Sequence, residues 1–308
     1  MSRLIFIPQY PSKMRYQEWL SFELIKNFKE HFDDVIVLGQ DVLYHSTFDR
    51  SESHMFSPIN NAIEFEIQQV NEYMNMTIKK DDFLFLSDTS FPGFFCNALY
   101  HKRPNNLFAY CHATSKNRYD YFPKIKFNCE TLHSKLFKKV FVGSRYHYNK
   151  IMWRNARVIG LPKPPFQTYI ENKKYDIISV SRNCVQKVTK SIEKEISRDF
   201  SPIIRKEVNS WEEYYKFLSQ SKCLFISAKE ETFGYPVFEA IKNGCVPIAP
   251  NRCSYPELLP KEYLYNNVDE AKQILSQVLN GQLGVPELLN QSLVDNFFEN
   301  LIREMKGE

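Results

Sequence analysis

The sequence predicts a parallel α/β fold made of two successive units that face each other across a cleft. Three observations predict it. Short apolar runs without polar alternation recur along the chain, as strands covered on both faces require. Helical patterns separate these runs, so strand and helix alternate. A proline-rich stretch then breaks the rhythm near the middle, and the same rhythm restarts after it.

In the first half, RLIFIP (3–8), DVIVLG (34–39), FLFLS (83–87), LFAYC (107–111), KVFVG (139–143) and ARVIG (156–160) read as strands. Between the second and third, Ile63, Ile67, Val70 and Met74 step by three and four, which predicts a helix burying that stripe. The break is GLPKPPFQTYIENKKYD (160–176), an interdomain linker. After it come DIISVS (176–181), a helix from about Lys187, SPIIRKEV, a helix over WEEYYKFL (211–218) and KCLFIS (222–227). A helix from Gly234 to Asn243, CVPIAP (245–250) and helices near 267–279 and 285–305 follow. The expected division is 1–162, 163–290, and a terminal helix at 291–308 packing back across both units. Ligands in such sheets bind beyond the carboxyl ends of the strands.

Composition narrows the function classes. The chain has 308 residues, 43% hydrophobic and 25% charged, enough for a sizeable core. The net charge of +4 is too small a bias to declare a nucleic-acid binder and does not exclude one. No apolar run approaches the roughly 18 residues of a membrane span, and MSRLIFIPQYP lacks a secretion signal's apolar core. Seven scattered cysteines without a C-x-x-C argue against a zinc ribbon or a disulfide framework, so a cytoplasmic protein is expected. Only nine glycines are present, in neither a G-x-G-x-x-G nor a P-loop arrangement. H-E-x-x-H, G-x-S-x-G and D-x-D are absent too.

The chemistry is concentrated in KCLFISAKEETFGYPVFEAIKNGCVPIAPNRCSYPELLP (222–260). A strand ends near Ser227, the polar loop AKEETFG follows, and a helix begins at Gly234. A helix start offers unpaired N–H groups and the positive end of the helix dipole, which together stabilise a diphosphate. Gly234 lets the backbone approach such an anion closely, and Gly244 suits the position just past the helix end. Glu239 is the odd member, flanked by Val237, Phe238, Ala240 and Ile241, because a buried carboxylate needs a hydrogen-bonding partner. A ribose diol is one such partner. Complementing the helix dipole is the plainer use.

Glu231 and Glu239 are separated by seven residues. Over EETFGYPVFEAIKNGCVPIAP…YPEL the chain resembles the retaining GT-B nucleotide-sugar glycosyltransferases of the large family four. The resemblance implies two Rossmann-like domains, with the acceptor in the first and a UDP- or GDP-linked sugar in the second. It places Glu231 on the donor sugar and Glu239 on the ribose hydroxyls, and it sets Thr232, Phe233, Gly234 and Tyr235 against the phosphates. Upstream, SVSRNCVQKV carries Arg182 and Lys187 with the family's R-x4-K spacing at a strand-to-helix junction. The resemblance puts both on the diphosphate, where fixed cations stabilise the charge building on the leaving group. It also implies hexosyl transfer by front-face substitution, without a side-chain nucleophile, a cofactor or a metal. The missing D-x-D agrees with that expectation.

The first half matches more loosely. KKVFVGSRYHYNKI…ARVIGLPKPPF resembles the family's strand-Ser-helix unit before the crossover. His112 directly follows a strand, where relatives often turn a histidine to the donor sugar; a structural histidine fits that place equally. Asp88 ends another strand, and Asp120 sits in a Tyr-Asp-Tyr turn. Relatives commonly carry a glycine-rich turn after the first strand. This chain has PQYPSKMRYQEW there, leaving Lys13, Arg15 and Gln17 as acceptor-side candidates. The acceptor classes are a glycan, a lipid-linked sugar or a small molecule. Basic and aromatic residues interleave in KNRYDYFPKIKF (116–127) and SRYHYNKIMWR (144–154), which keeps a nucleic-acid base as an alternative acceptor. The same fold also suits a catalytically inactive nucleotide-binding module, or an epimerase or phosphorylase.

Overall fold

The structure is a computed structural model that describes residues 2–12, 15–45, 59–89, 92–118, 127–181 and 187–307. The first half runs β1 (Arg3–Ile7), α1 (Gln17–His31), β2 (Asp34–Val37), α2 (Gln40–His45), α3 (Ile59–Asn75) and β3 (Phe83–Leu86). It continues with α4 (Pro92–His101), β4 (Asn106–Tyr110), α5 (Phe127–Ser134), β5 (Lys139–Val142), α6 (Arg145–Ile151) and β6 (Ala156–Val158). Each expected strand of this half overlaps an observed one. All pairings are parallel, in the order β2-β1-β3-β4-β5-β6. One face is lined by phenylalanines: Phe6 stacks on Phe85, Phe85 on Phe141 and Phe141 on Phe108, at centroid distances of 6.0, 6.3 and 6.1 Å.

No regular element occupies 159–174. The second half then runs β7 (Tyr175–Ile178), α7 (Lys190–Asp199), α8 (Trp211–Ser219), β8 (Ser221–Phe225), α9 (Tyr235–Lys242) and β9 (Val246–Pro250). It closes with α10 (Tyr255–Leu258), a 3-10 turn at Lys261–Tyr263, β10 (Leu264–Tyr265), α11 (Val268–Leu279), α12 (Ser292–Asp295) and α13 (Phe297–Lys306). Its sheet is also parallel, ordered β10-β9-β8-β7. SPIIRKEV contributes a single bridge, Ile204 to Ile178, at the outer side of β7.

Two expectations change. The expected stripe Ile63, Ile67, Val70, Met74 does not set the buried face of α3: the Ile63 side chain lies outside the described ones, Val70 is half-buried, and Ile67 and Met74 are 52% and 47% exposed, whereas Phe65, Gln69 and Tyr73 are buried. Aromatic rings are the larger apolar groups, and here Phe65 and Tyr73 take the buried face. The Gln69 side-chain NH2 donates to the carbonyls of Pro8 and Leu38, at 3.0 and 3.1 Å, while its Oε1 is buried without a partner among the described residues. The helix expected over 285–305 is absent before Ser292 and is interrupted at Asn296, so α12 and α13 are separate pieces.

The two halves share a core. Phe233 and Phe238, from the acidic motif, pack with Leu4, Phe6 and Trp19 of the first half. Phe297, Leu301, Ile302 and Met305 of α13 join the same cluster, and Lys139 Nζ meets Glu304 at 2.8 Å. Gly160 makes this packing possible. Its φ is +83°, and a Cβ there would lie 1.6 Å from the Leu293 carbonyl oxygen.

Candidate active site

Strands β7 and β8 deliver two loops to one edge of the second sheet. The loop before α7 is clasped to the end of β8: Thr189 N–H donates to Ser227 Oγ (3.0 Å), and Thr189 Oγ1 donates to the Ser227 carbonyl (2.6 Å). Ser227 Oγ donates to Glu193 (2.6 Å), and Glu193 also takes the Arg205 guanidinium (2.5 Å), so no charge in this buried network is left alone. The clasp sets Lys187 over the loop after β8. Lys187 Nζ meets Glu231 Oε2 at 2.7 Å and the Glu230 carbonyl at 3.3 Å.

Glu231 Oε1 accepts the backbone N–H groups of Thr232 (3.0 Å) and Phe233 (3.4 Å). Burial pushes this carboxyl up, but the Lys187 ammonium and these amides outweigh it and hold it below its ordinary value. Glu231 is therefore a fixed anion at neutral pH, with its side chain 15% exposed. Gly234 follows with φ +105° and caps α9; a Cβ there would press on Leu258 at 2.9 Å. The next residue, Tyr235, donates its hydroxyl to the Pro162 carbonyl (2.9 Å), tying the helix start to the first half.

Glu239 is buried on α9. It accepts hydrogen bonds from both tyrosines of α8, Tyr214 at 2.8 Å and Tyr215 at 3.0 Å. Burial raises its pKa to about 7, against the lowering effect of the two phenols. An ionised carboxylate has about four lone-pair sites, so two remain for further donors.

On the facing edge, His112 follows β4, buried between Tyr110 and Tyr16 at ring distances of 4.4 and 4.8 Å. Its Nε2 lies 3.1 Å from the Ser87 carbonyl, so Nε2 carries the proton and Nδ1 is the acceptor. Burial lowers its pKa to about 3, opposed by that carbonyl, and the ring is neutral. Asp88 accepts from Gln9 Nε2 (2.6 Å) and lies 3.5 Å from the His112 N–H. Gln17 opens α1, and Arg15 sits just before it, half-buried. The side-chain oxygens Gln9 Oε1, Gln17 Oε1, Ser87 Oγ and Thr89 Oγ1 are buried without a partner among the described residues.

Lys187 and Glu231 thus meet directly, with Thr232–Tyr235 forming the turn beside them, while Glu239 stands apart on the α8 side of α9. His112, Asp88 and Gln17 belong to the opposite edge. Arg182, Lys13 and Asp120 lie outside the described residues. Among the described residues no three His, Cys, Asp or Glu side chains gather as metal ligands, and no helix is long and apolar enough to cross a membrane.

Sequence reasoning missed several residues of this region. Glu230, beside Glu231, turns the opposite way and accepts from Asn117 (3.1 Å), Tyr146 (2.7 Å) and Lys150 (2.7 Å) of the first half. Glu257 accepts the N–H groups of Arg145 (2.8 Å) and Tyr146 (2.5 Å) at the start of α6. Ser144 Oγ donates to the Thr232 carbonyl at 2.5 Å. The doubled acid in KEETFG was the available signal for Glu230. Nothing in sequence pointed to Gln9, Tyr214 or Tyr215.

No protein-family model matches the chain. A curated relative, the tRNA-queuosine alpha-mannosyltransferase of Drosophila melanogaster, is 39% identical over 89 residues. That stretch is 29% of this chain and spans only 22% of the relative. Among solved structures, the lipopolysaccharide outer core galactosyltransferase WaaB aligns with a TM-score of 0.63 at 13% identity, over 99% of this chain and 98% of that one. Sucrose-phosphate synthase from Thermosynechococcus elongatus aligns with a TM-score of 0.62 at 9% identity, over 100% of this chain and 94% of that one. The fold is GT-B: two Rossmann-like α/β domains facing across a cleft.

Proposed function

We propose that the protein transfers a sugar from a nucleoside diphosphate sugar to an acceptor hydroxyl, with retention at the anomeric carbon. One observation carries the reading. Glu231, seven residues before Glu239, is held as an anion by Lys187 and two loop amides at the edge where the second sheet meets the first half. In this reading the diphosphate draws on Lys187, on Arg182 and on the first-turn N–H groups of α9, which stabilise the charge of the departing group. Glu231 then accepts hydroxyls of the donor sugar. Glu239 accepts the ribose diol on its two free lone-pair sites, with the tyrosines holding it in place. His112 offers Nδ1 as a neutral acceptor across the cleft.

The bond from the anomeric carbon to the diphosphate oxygen breaks, and the acceptor oxygen bonds to that carbon on the same face. The acceptor proton passes to the leaving phosphate. The relatives support the class, since each is named for building a glycosidic product. A thermal-shift panel of UDP, GDP and their sugars tests donor binding. Nucleotide release, with NMR of the product's anomeric proton, tests transfer. Nucleotide binding without any release would leave an inactive module.

A second reading concerns the acceptor. The relative with 39% identity is named for modifying queuosine in tRNA, which favours a nucleic-acid base as the sugar's destination. Transfer assays with RNA in place of free sugars separate the two.

A further inference from the structure

The modest net charge hides a strong segregation. Between Thr89 and Ile170 the chain has 14 Lys and Arg and only two acids, Asp120 and Glu130. From Thr131 to Ile170 there is no acid at all. That segment supplies β5, α6 and β6, ending at the sheet edge that, among the described residues, no further strand covers. Lys139 and Lys150 reach acids contributed by distant segments, Glu304 and Glu230. Arg145, Arg154, Arg157 and Lys135 are exposed and make no ion pair with a described residue.

Helix α6 gives this edge its direction. Its exposed side carries Arg145, Tyr148 and Asn149, spaced by three and four, and Met152 caps its end in a left-handed conformation; Tyr148 is 37% and Met152 75% exposed. Its N-terminus is bonded to Glu257, and the preceding Ser144 to the Thr232 carbonyl, one residue from Glu231. A cationic surface with an aromatic platform therefore starts beside the candidate donor loop and runs out to Arg154 and Arg157.

We propose that this α6–β6 edge is the docking surface for an RNA acceptor, whose phosphates pair with Arg145, Arg154 and Arg157 while a base stacks on Tyr148. The proposal rests on the glycosyl-transfer reading and names its acceptor class. Glu257, Glu230 and Glu304 reach this edge from other segments, but Arg145, Arg154 and Arg157 make no ion pair with a described residue, and a polyphosphate backbone matches them by charge. Tyr148, offering a π-face among arginines, matches a single-stranded base. An anionic bilayer would instead demand a continuous apolar face, and α6 presents arginine and asparagine between its apolar members.

The test is fluorescence anisotropy of the full chain with a labelled RNA stem-loop across a potassium chloride series. Binding should weaken with salt. Arg145→Ala/Arg154→Ala should lower the affinity about tenfold or more and flatten the log–log salt slope by about one to two. Tyr148→Ala should weaken binding several-fold with the slope unchanged, which a purely ionic surface would not produce. Arg198→Ala, an exposed arginine of α7 in the other half, should bind as wild type. A thermal shift with nucleotide sugar, run on every variant, reports folding and donor binding. Retained donor binding with no RNA affinity at low salt overturns the surface and leaves the transfer reading standing. RNA binding lost equally in Arg198→Ala, or tighter binding to phosphatidylserine vesicles than to RNA, also overturns it. RNA binding that follows the predicted variants, in a protein that ignores nucleotide sugars, upholds the surface and sinks the transfer reading.

Discussion

The two carboxyl edges that face the cleft are built from different chemistry. The edge of the second sheet is charged and paired: Lys187 holds Glu231 and Arg205 holds Glu193. The edge of the first sheet works mainly through uncharged groups. There His112 is neutral, Gln9 serves Asp88, and the oxygens of Gln9, Gln17, Ser87 and Thr89 await donors. Even Glu66 nearby is pushed up to about 7, first by burial and then by Asp88. Fixed charges suit a ligand bearing charge, because they need not reorganise when it arrives. Neutral acceptors suit hydroxyls, which a charged edge would bind less selectively. On the proposed reading, the charged edge would take the whole diphosphate sugar and the neutral edge would meet the acceptor's hydroxyls.

That contrast breaks most readily at Glu231. Glu231→Ala should lower transfer about 100- to 1000-fold, or about 3–4 kcal/mol, the scale of removing one preorganised electrostatic contact. Initial-rate assays with nucleotide release check this, and a variant at full rate would end the assignment.

Glu239 gives the next largest effect. Its folded pKa, about 7, is above the ordinary 4.5, so the folded state holds the proton more tightly. Stability should therefore be greatest below 4.5, fall as pH rises towards 7 and level off above it. The full change is at most about 3 kcal/mol. Urea melts at pH 5 and 8 measure it, and Glu239→Gln should remove the slope. Nucleotide affinity should move the opposite way, rising with pH as the carboxylate becomes available to ribose.

Lys150→Ala removes the cation from Glu230, leaving only Tyr146 and Asn117. A loss of about 2 kcal/mol is expected, typical of a hydrogen bond to a charged group. Chemical denaturation would read it, and a loss below about 0.5 kcal/mol would show that this contact does not hold the halves together.

His112 should give the smallest effect. With a pKa of about 3, it contributes no step to the transfer rate between pH 5 and 8. A step near 6.5 that vanishes in His112→Gln would reverse the picture of a neutral first edge.

Strand positions were legible because buried parallel strands are written as continuous apolar runs, and all six runs of the first half became strands. The helix start at Gly234 was legible because the turn before it and the helix after it are local. Local geometry of that kind leaves a spacing in the chain. The face of α3 was not legible: Gln69 looks polar, yet the carbonyls of Pro8 and Leu38, supplied by other segments, take its NH2 group and hold it on the buried face. Glu230 and Glu231 are adjacent and identical in type, yet one bonds Lys150 of the first half and the other Lys187 of its own. Local pattern alone accounts for the α/β alternation, the break at 159–174 and the spacing of Glu231 from Glu239. Tertiary structure alone decided which acid joins the halves, which tyrosines hold Glu239 and where the orphan oxygens gather. Each of those depends on partners tens to more than a hundred residues away, and no local periodicity records them.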